Sequence, residues 1–228
     1  METAGIQKLF EEIGGKFCVP ATSIQLKLNS IKAFIFDWDG VFNDGFKQNQ
    51  TGSGFSEPDA MGTNMLRFSY WLTHKELPIT AIITGEENQA ALFLGKRERF
   101  TALYFKSANK LKSFDHFLKA NKLKAEEVAF VFDDVLDLSL STQCGVRILA
   151  HRTTNPLFNK YLVDNKIVDY MTSQSGGKLA VREACELLMG LYGKYDEAIS
   201  NRAKFSDTYK EYLAERQQTE TSVFSEIN

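Results

Sequence analysis

Two carboxylates, Asp37 and Asp39, flank Trp38 and precede Gly40 at the end of a mostly apolar run over residues 31–36. That run reads as a buried strand of a parallel sheet. Side chains two apart on a strand share a face, so both acids can enter one cleft. Burying them is costly unless a cation or a hydrogen-bond network receives them. A second apolar run, 128–132, also ends in acids: Asp133, Asp134 and, one turn on, Asp137. Between the two, the run 78–83 closes on Thr84-Gly85, and Lys110 opens an expected helix behind its cap Asn109. A lysine at a helix start opposes the dipole, which points to a local anion.

An ionised carboxylate can attack phosphorus without a helper base. A second carboxyl, kept protonated by repulsion from the first, can protonate the leaving alkoxide and later take a proton from water. Three or more carboxylates around a phosphate call for a cation, and oxygen-only ligands specify Mg²⁺. The Thr84 hydroxyl and the Lys110 ammonium would hold the equatorial oxygens, where transition-state charge collects.

The elements that must position these groups follow from apolar runs at 31–36, 78–83, 101–105, 128–132, 145–150 and 167–171, separated by helical patterns. The alternation predicts an α/β fold, a doubly wound parallel sheet with its first strand central and right-handed crossovers. Its ligand crevice lies beyond the carboxyl ends of the strands. Asp59 is expected to cap the helix that follows, and a helix over 86–97 to offer its N-terminus to an anion beside Thr84. Asp44-Gly45 and the Gly52/Gly54 pair predict a protruding hairpin near residues 46–55. Residues 1–30 read as an N-terminal helical extension: an amphipathic helix on Ile6, Leu9, Phe10 and Ile13, stopped at Gly14-Gly15, then a linker through Pro20. The phosphate-handling domain spans 31–195. Residues 196–228 read as a polar helix, weakly periodic around Phe205, Tyr209 and Leu213, fraying into a disordered tail dispensable for catalysis.

The 228 residues suffice for a full core. Twenty-seven Lys+Arg against 29 Asp+Glu leave no nucleic-acid or membrane footprint. Cys18, Cys144 and Cys185 lack paired spacing and fit reduced thiols in a cytoplasmic protein. No signal peptide or membrane-length apolar stretch is visible.

The order Asp-x-Asp-Gly, strand-terminal Thr-Gly, lone Lys and Asp-Asp-x-x-Asp resembles the haloacid dehalogenase superfamily of phosphotransferases. Residues 37–45, Ile82-Ile83-Thr84-Gly85, Asn109-Lys110-Leu111 and the 176–183 segment Gly-Gly-Lys-Leu-Ala-Val-Arg-Glu are similar to its capless sugar-acid phosphatases. These act on 3-deoxy-D-manno-octulosonate 8-phosphate or nonulosonate 9-phosphates. The resemblance covers about residues 31–193. It implies a Rossmann-like core with a small β-hairpin in place of a cap domain. It implies Asp37 as nucleophile, Asp39 as general acid/base, and Asp37, the Asp39 carbonyl and Asp133 as magnesium ligands. Thr84, Gly85 and Lys110 would contact phosphate, with Asp134 and Asp137 in an outer shell. It further implies a homotetramer whose hairpins help cover neighbouring clefts. Phe132, Pro58, Glu86 and Leu179 depart from the family's usual residues. Motif order argues against a phosphate-accepting receiver domain, because Lys110 precedes Asp133. The alternative is a catalytically weakened homologue serving as a binding or assembly subunit.

Overall fold

The computed structural model describes residues 1–47 and 53–227. Strand β2 (Ala33–Phe36) is buried along its whole length because both faces are covered. Phe34 and Phe36 enter one core layer, whereas Ala33 and Ile35 enter the other. It pairs in parallel with β3 (Ile79–Ile83) on one side and β5 (Val128–Phe132) on the other. Beyond them lie β4 (Ala102–Phe105) and β6 (Val146–Leu149), each parallel to its neighbour. The expected central position of the first apolar run is therefore the observed one. The register sets Phe36 level with Ile82 and Val131, so the residues that follow β2, β3 and β5 emerge on one edge of the sheet.

The helices of the two layers are α3 (Glu57–His74), α4 (Gln89–Arg97), α5 (Lys110–Asn121), α6 (Leu138–Ser141), α7 (Pro156–Asp164) and α8 (Ala180–Leu191). Two of the helix expectations need correction. Helix α4 starts at Gln89, where Asn88 accepts from the amides of Ala90 (2.9 Å) and Ala91 (3.1 Å). Its N-terminus is thus satisfied by its own cap and stands beyond Thr84, so it supplies no free anion site there. Asp59 does not cap α3, whose N-cap is Ser56. Its Oδ1 instead accepts from the Arg182 amide (2.8 Å) in the first turn of α8, fastening the two most extensively packed helices together.

Both ends of the chain depart from the simple extensions expected. Ahead of β2, α1 (Thr3–Glu12) and α2 (Ala21–Leu28) flank a two-residue strand, β1 (Lys16–Phe17). That strand pairs antiparallel with β7 (Tyr170–Met171), itself parallel to β6. The tail is ordered, through α9 (Tyr195–Ala203), α10 (Asp207–Gln217) and β8 (Ser222–Ser225). Strand β8 adds in parallel to β4, giving the order β1-β7-β6-β5-β2-β3-β4-β8. The polar composition of α10 conceals a packed face. Tyr209 and Tyr212 lay their rings on Phe68 of α3 at 5.1 and 5.0 Å and send their hydroxyls to Asn64. Arg216 pairs with Glu98 at 2.9 Å. Amphipathic side chains of this kind bury apolar area while keeping polar partners, and a hydropathy pattern undercounts them.

Residues 48–52, the middle half of the expected hairpin, lie outside the described residues. The flanks meet: the Ser53 hydroxyl donates to the Phe46 carbonyl at 2.8 Å.

Candidate active site

Trp38 points into the core, completely buried, with its indole stacked on Phe42 at 4.8 Å and its N–H donated to the Ser53 carbonyl. The alternation that sends Trp38 inward sends Asp37 and Asp39 outward into one cavity of about 520 Å³. Thr84 and Gly85, after β3, line the same cavity, as do Lys110 at the start of α5 and Asp133, Asp134 and Asp137 after β5. The eight candidate residues named from the sequence therefore share one crevice at the carboxyl ends of the central strands.

Within it the groups separate by partner. Lys110 is buried and bridges two carboxylates, reaching Asp37 Oδ1 at 2.6 Å and Asp137 Oδ1 at 2.5 Å. Asp37, Asp133 and Asp137 each offer an oxygen within 4.8 Å of the others. Asp137 thus sits inside the carboxylate cluster. Asp134 is exposed and caps the short 3₁₀ turn Val135–Asp137, accepting from the Val135 amide at 2.7 Å. Asp39 stands apart from the cluster. One of its oxygens lies 3.8 Å from Lys47 Nζ, and the other is buried without a hydrogen-bond partner among the described residues.

These placements perturb ionisation. Burial raises the Asp37 carboxyl above the ordinary range, Asp137 adds to this, and Lys110 draws it back. For Asp133, burial again comes first, followed by repulsion from Asp37 and Asp137, with Arg152 opposing. At Lys110 burial works against the charge, but Asp37 and Asp137 outweigh it and hold the ammonium protonated. An arrangement of close, buried, oxygen-only donors that resist ionising together fits a hard divalent cation, whose charge would relieve that repulsion.

The loop carrying the first two acids is braced internally. Asn43 Oδ1 accepts from the amides of Gly45 (2.8 Å) and Gly40 (3.3 Å), and its amide donates to the Trp38 carbonyl. From outside, Gly176 presses on this loop so closely that a Cβ there would sit 2.0 Å from the Gly40 carbonyl oxygen. That contact explains the Gly-Gly pair ahead of α8. Leu179, in the same segment, adopts φ of +72°, a conformation that favours glycine. Phe132 is buried in the core layer of Phe130 and displaces no group of the site.

Sequence reasoning missed three lining residues. Ser107 follows β4, with its hydroxyl 2.7 Å from that of Ser113. Lys47 lies between Asp39 and Glu86, the latter at 3.7 Å. Arg152, three residues beyond β6, places Nη2 2.5 Å from Asp133 Oδ2. The signal that could have found Arg152 and Ser107 is position alone, since both follow the carboxyl ends of parallel strands.

No protein-family model matches the chain. The 3-deoxy-D-manno-octulosonate 8-phosphate phosphatase KdsC of Escherichia coli (strain K12) is 31% identical over 176 residues, covering 75% of this chain and 86% of that protein. An HAD-superfamily (subfamily III A) hydrolase from Legionella pneumophila superposes with a TM-score of 0.66 at 27% identity, covering 80% of this chain and 95% of its own. The 3-deoxy-D-manno-octulosonate 8-phosphate phosphatase of Moraxella catarrhalis, solved with magnesium, phosphate and KDO, gives a TM-score of 0.64 at 26% identity, covering 79% and 98%. With this identity, coverage and shared architecture, the chain belongs to the KdsC-like phosphatases of the haloacid dehalogenase superfamily.

Proposed function

We propose that the protein is a magnesium-dependent phosphatase of a phosphorylated sugar acid, of the octulosonate or nonulosonate type, working through an aspartyl phosphate. The observation that carries this reading is the buried Asp37–Lys110–Asp137 bridge beside Asp133, with the Asp39 carboxylate outside that bridge in the same cavity.

Asp37 Oδ attacks phosphorus as the bond to the sugar oxygen breaks. Lys110, Thr84 and the Gly85 backbone hold the phosphoryl oxygens. Asp39 delivers a proton to the departing alkoxide and then removes one from the water that attacks the aspartyl phosphate. Phosphate leaves and Asp37 is restored. Mg²⁺, held by Asp37 and Asp133 together with the Asp39 main-chain carbonyl, would supply charge neutralisation at the phosphoryl group. Asp137 secures Lys110, and Asp134 secures the turn that carries Asp137.

The family is matched through KdsC enzymes named for the octulosonate substrate, which supports a sugar-acid phosphate as the substrate class. Glu86, which departs from the family's usual residue after Thr84-Gly85, keeps the nonulosonate type in the proposal. Exposed Phe46 beside the cavity, and Leu136 on its rim, support a homotetramer in which a neighbour closes part of each cleft. The three free cysteines support a reducing, cytoplasmic setting, and no helix among the described residues is long and apolar enough to cross a membrane.

The deciding experiment measures phosphate release from a panel of phosphorylated sugar acids with Mg²⁺ and with excess chelator. Turnover is expected for an octulosonate or nonulosonate phosphate, abolished by chelator and by Asp37→Asn. Turnover surviving Asp37→Asn would remove the covalent mechanism. Sedimentation at working concentration tests the assembly, and a fully active monomer would remove it.

A further inference from the structure

The cations of the site are divided unevenly. Lys110 serves Asp37 and Asp137, and its ammonium is committed to both. Asp133 is 5% exposed, faces the same two acids, and is paired directly with Arg152. The guanidinium approaches from the β6 side and lies directly over Gly40. A Cβ on Gly40 would fall 2.0 Å from both Arg152 Nη2 and Asp133 Oδ2. The left-handed glycine, with φ of +88°, therefore makes room for this pair specifically. The pair thus joins a buried carboxylate to a partly exposed guanidinium at the wall of the cavity.

We propose that Arg152 is a resident counter-ion with which the divalent cation must compete for Asp133. The inference rests on the reading of Asp37 and Asp133 as the metal-binding pair. A guanidinium at an anionic ligand does two things to an incoming dication. It occupies a lone pair of Asp133 Oδ2, and its own positive charge repels the ion across a poorly screened cavity. When the ion is absent, the same contact offsets the repulsion that Asp133 meets from Asp37 and Asp137 and spares it from being an unpaired buried charge. Arg152 thereby weakens cation binding and keeps the acids in place when the cation leaves. It is a positioning residue and takes no part in bond making.

The test titrates Mn²⁺ alone into the full-length, chelator-stripped protein. The titration is followed by calorimetry and by the loss of the free-ion electron paramagnetic resonance signal, at alkaline pH where carboxyl protonation does not compete. Arg152→Met is expected to tighten Mn²⁺ binding about tenfold, because a comparable volume is kept while the charge is removed. Arg152→Lys is expected to stay near the wild-type affinity. Circular dichroism establishes that each variant is folded, and Arg152→Gln stands in should the methionine variant fail to fold. Unchanged or weaker binding in the folded neutral variants, with wild-type binding intact, overturns the role of Arg152 alone. Absence of binding in wild type and variants alike overturns the metal reading and this inference with it.

Discussion

In the proposed mechanism, Asp39 is suited to the acid–base step by what it lacks. Its buried oxygen has no hydrogen-bond partner among the described residues, whereas Asp37 and Asp137 are tied to Lys110 and Asp133 to Arg152. A carboxyl in the cavity that is not tied to Lys110 or Arg152 can exchange protons with the sugar oxygen and with water. Asp39→Asn should therefore slow a sugar phosphate, whose alkoxide needs a proton, by about 10²-fold or more. An aryl phosphate, with a better leaving group, should lose much less in the step that forms the aspartyl phosphate. Burst kinetics with both substrates check this, and equal losses would assign the proton to another group. Asp59 shows the opposite use of a buried acid. Burial raises its pKa to about 6, against the opposing Arg182 amide and charge. The folded state then binds the proton more tightly than the unfolded chain, so stability falls as pH rises from the ordinary carboxyl value, roughly 4, to about 6. A side-chain amide at this position would keep an acceptor for the Arg182 N–H without the charge. Asp59→Asn is expected to stabilise the fold by about 1–2 kcal/mol above that window and to match wild type below it. Denaturant melts across pH measure the difference.

At the scale of elements, α10 and β8 bind the end of the chain to the layer that carries α3 and to the β4 edge. Phe224 of β8 stacks on Tyr104 at 4.9 Å, and Trp71 donates its indole N–H to Glu215. Deleting residues 206–228 would uncover Phe68 and Trp71 and strip Glu98 of Arg216. We expect a loss on the order of 4 kcal/mol, lowering Tm by about 10 °C, with aryl-phosphate turnover kept wherever the truncated protein remains folded. A melt unchanged by the truncation would contradict this packing. The six runs that became β2 to β7 were legible because parallel core strands are short and apolar on both faces. Strand β1 is two residues long, and β8 has only Val223 and Phe224 to mark it, so neither has a periodicity to detect. Helix α10 hid behind tyrosines and Arg216. The candidate acids, Thr84 and Lys110 were legible because polar residues that interrupt apolar strands have few structural uses. Arg152 and Lys47 were not, because each is a single cation in an irregular loop whose course only the folded chain defines.

For the whole molecule, the sheet order has an energetic consequence. Placing β2 between β5 and β3 brings Asp37 beside Asp133, and the turn after β5 adds Asp137. Three buried acids in one cluster raise the carboxyl pKa of Asp37 and Asp133, chiefly through burial and then through one another. In the cation-free protein the folded state consequently holds protons that the unfolded chain has released. Its stability should decline as pH climbs from roughly 4 through neutrality, since the slope of unfolding free energy with pH has the sign of protons bound unfolded minus folded. A divalent cation held by the deprotonated cluster, and by the folded state alone, would oppose that slope. Saturating Mg²⁺, at about 100 times its dissociation constant, should add about 2.7 kcal/mol at alkaline pH and progressively less towards acid, where protons compete for the same oxygens. Thermal melts with Mg²⁺ and with chelator, run across this range, read the difference directly. A stabilisation that does not change with pH would mean that the ion binds elsewhere. No stabilisation at any pH would mean that the acids are balanced by Lys110 and Arg152 without it.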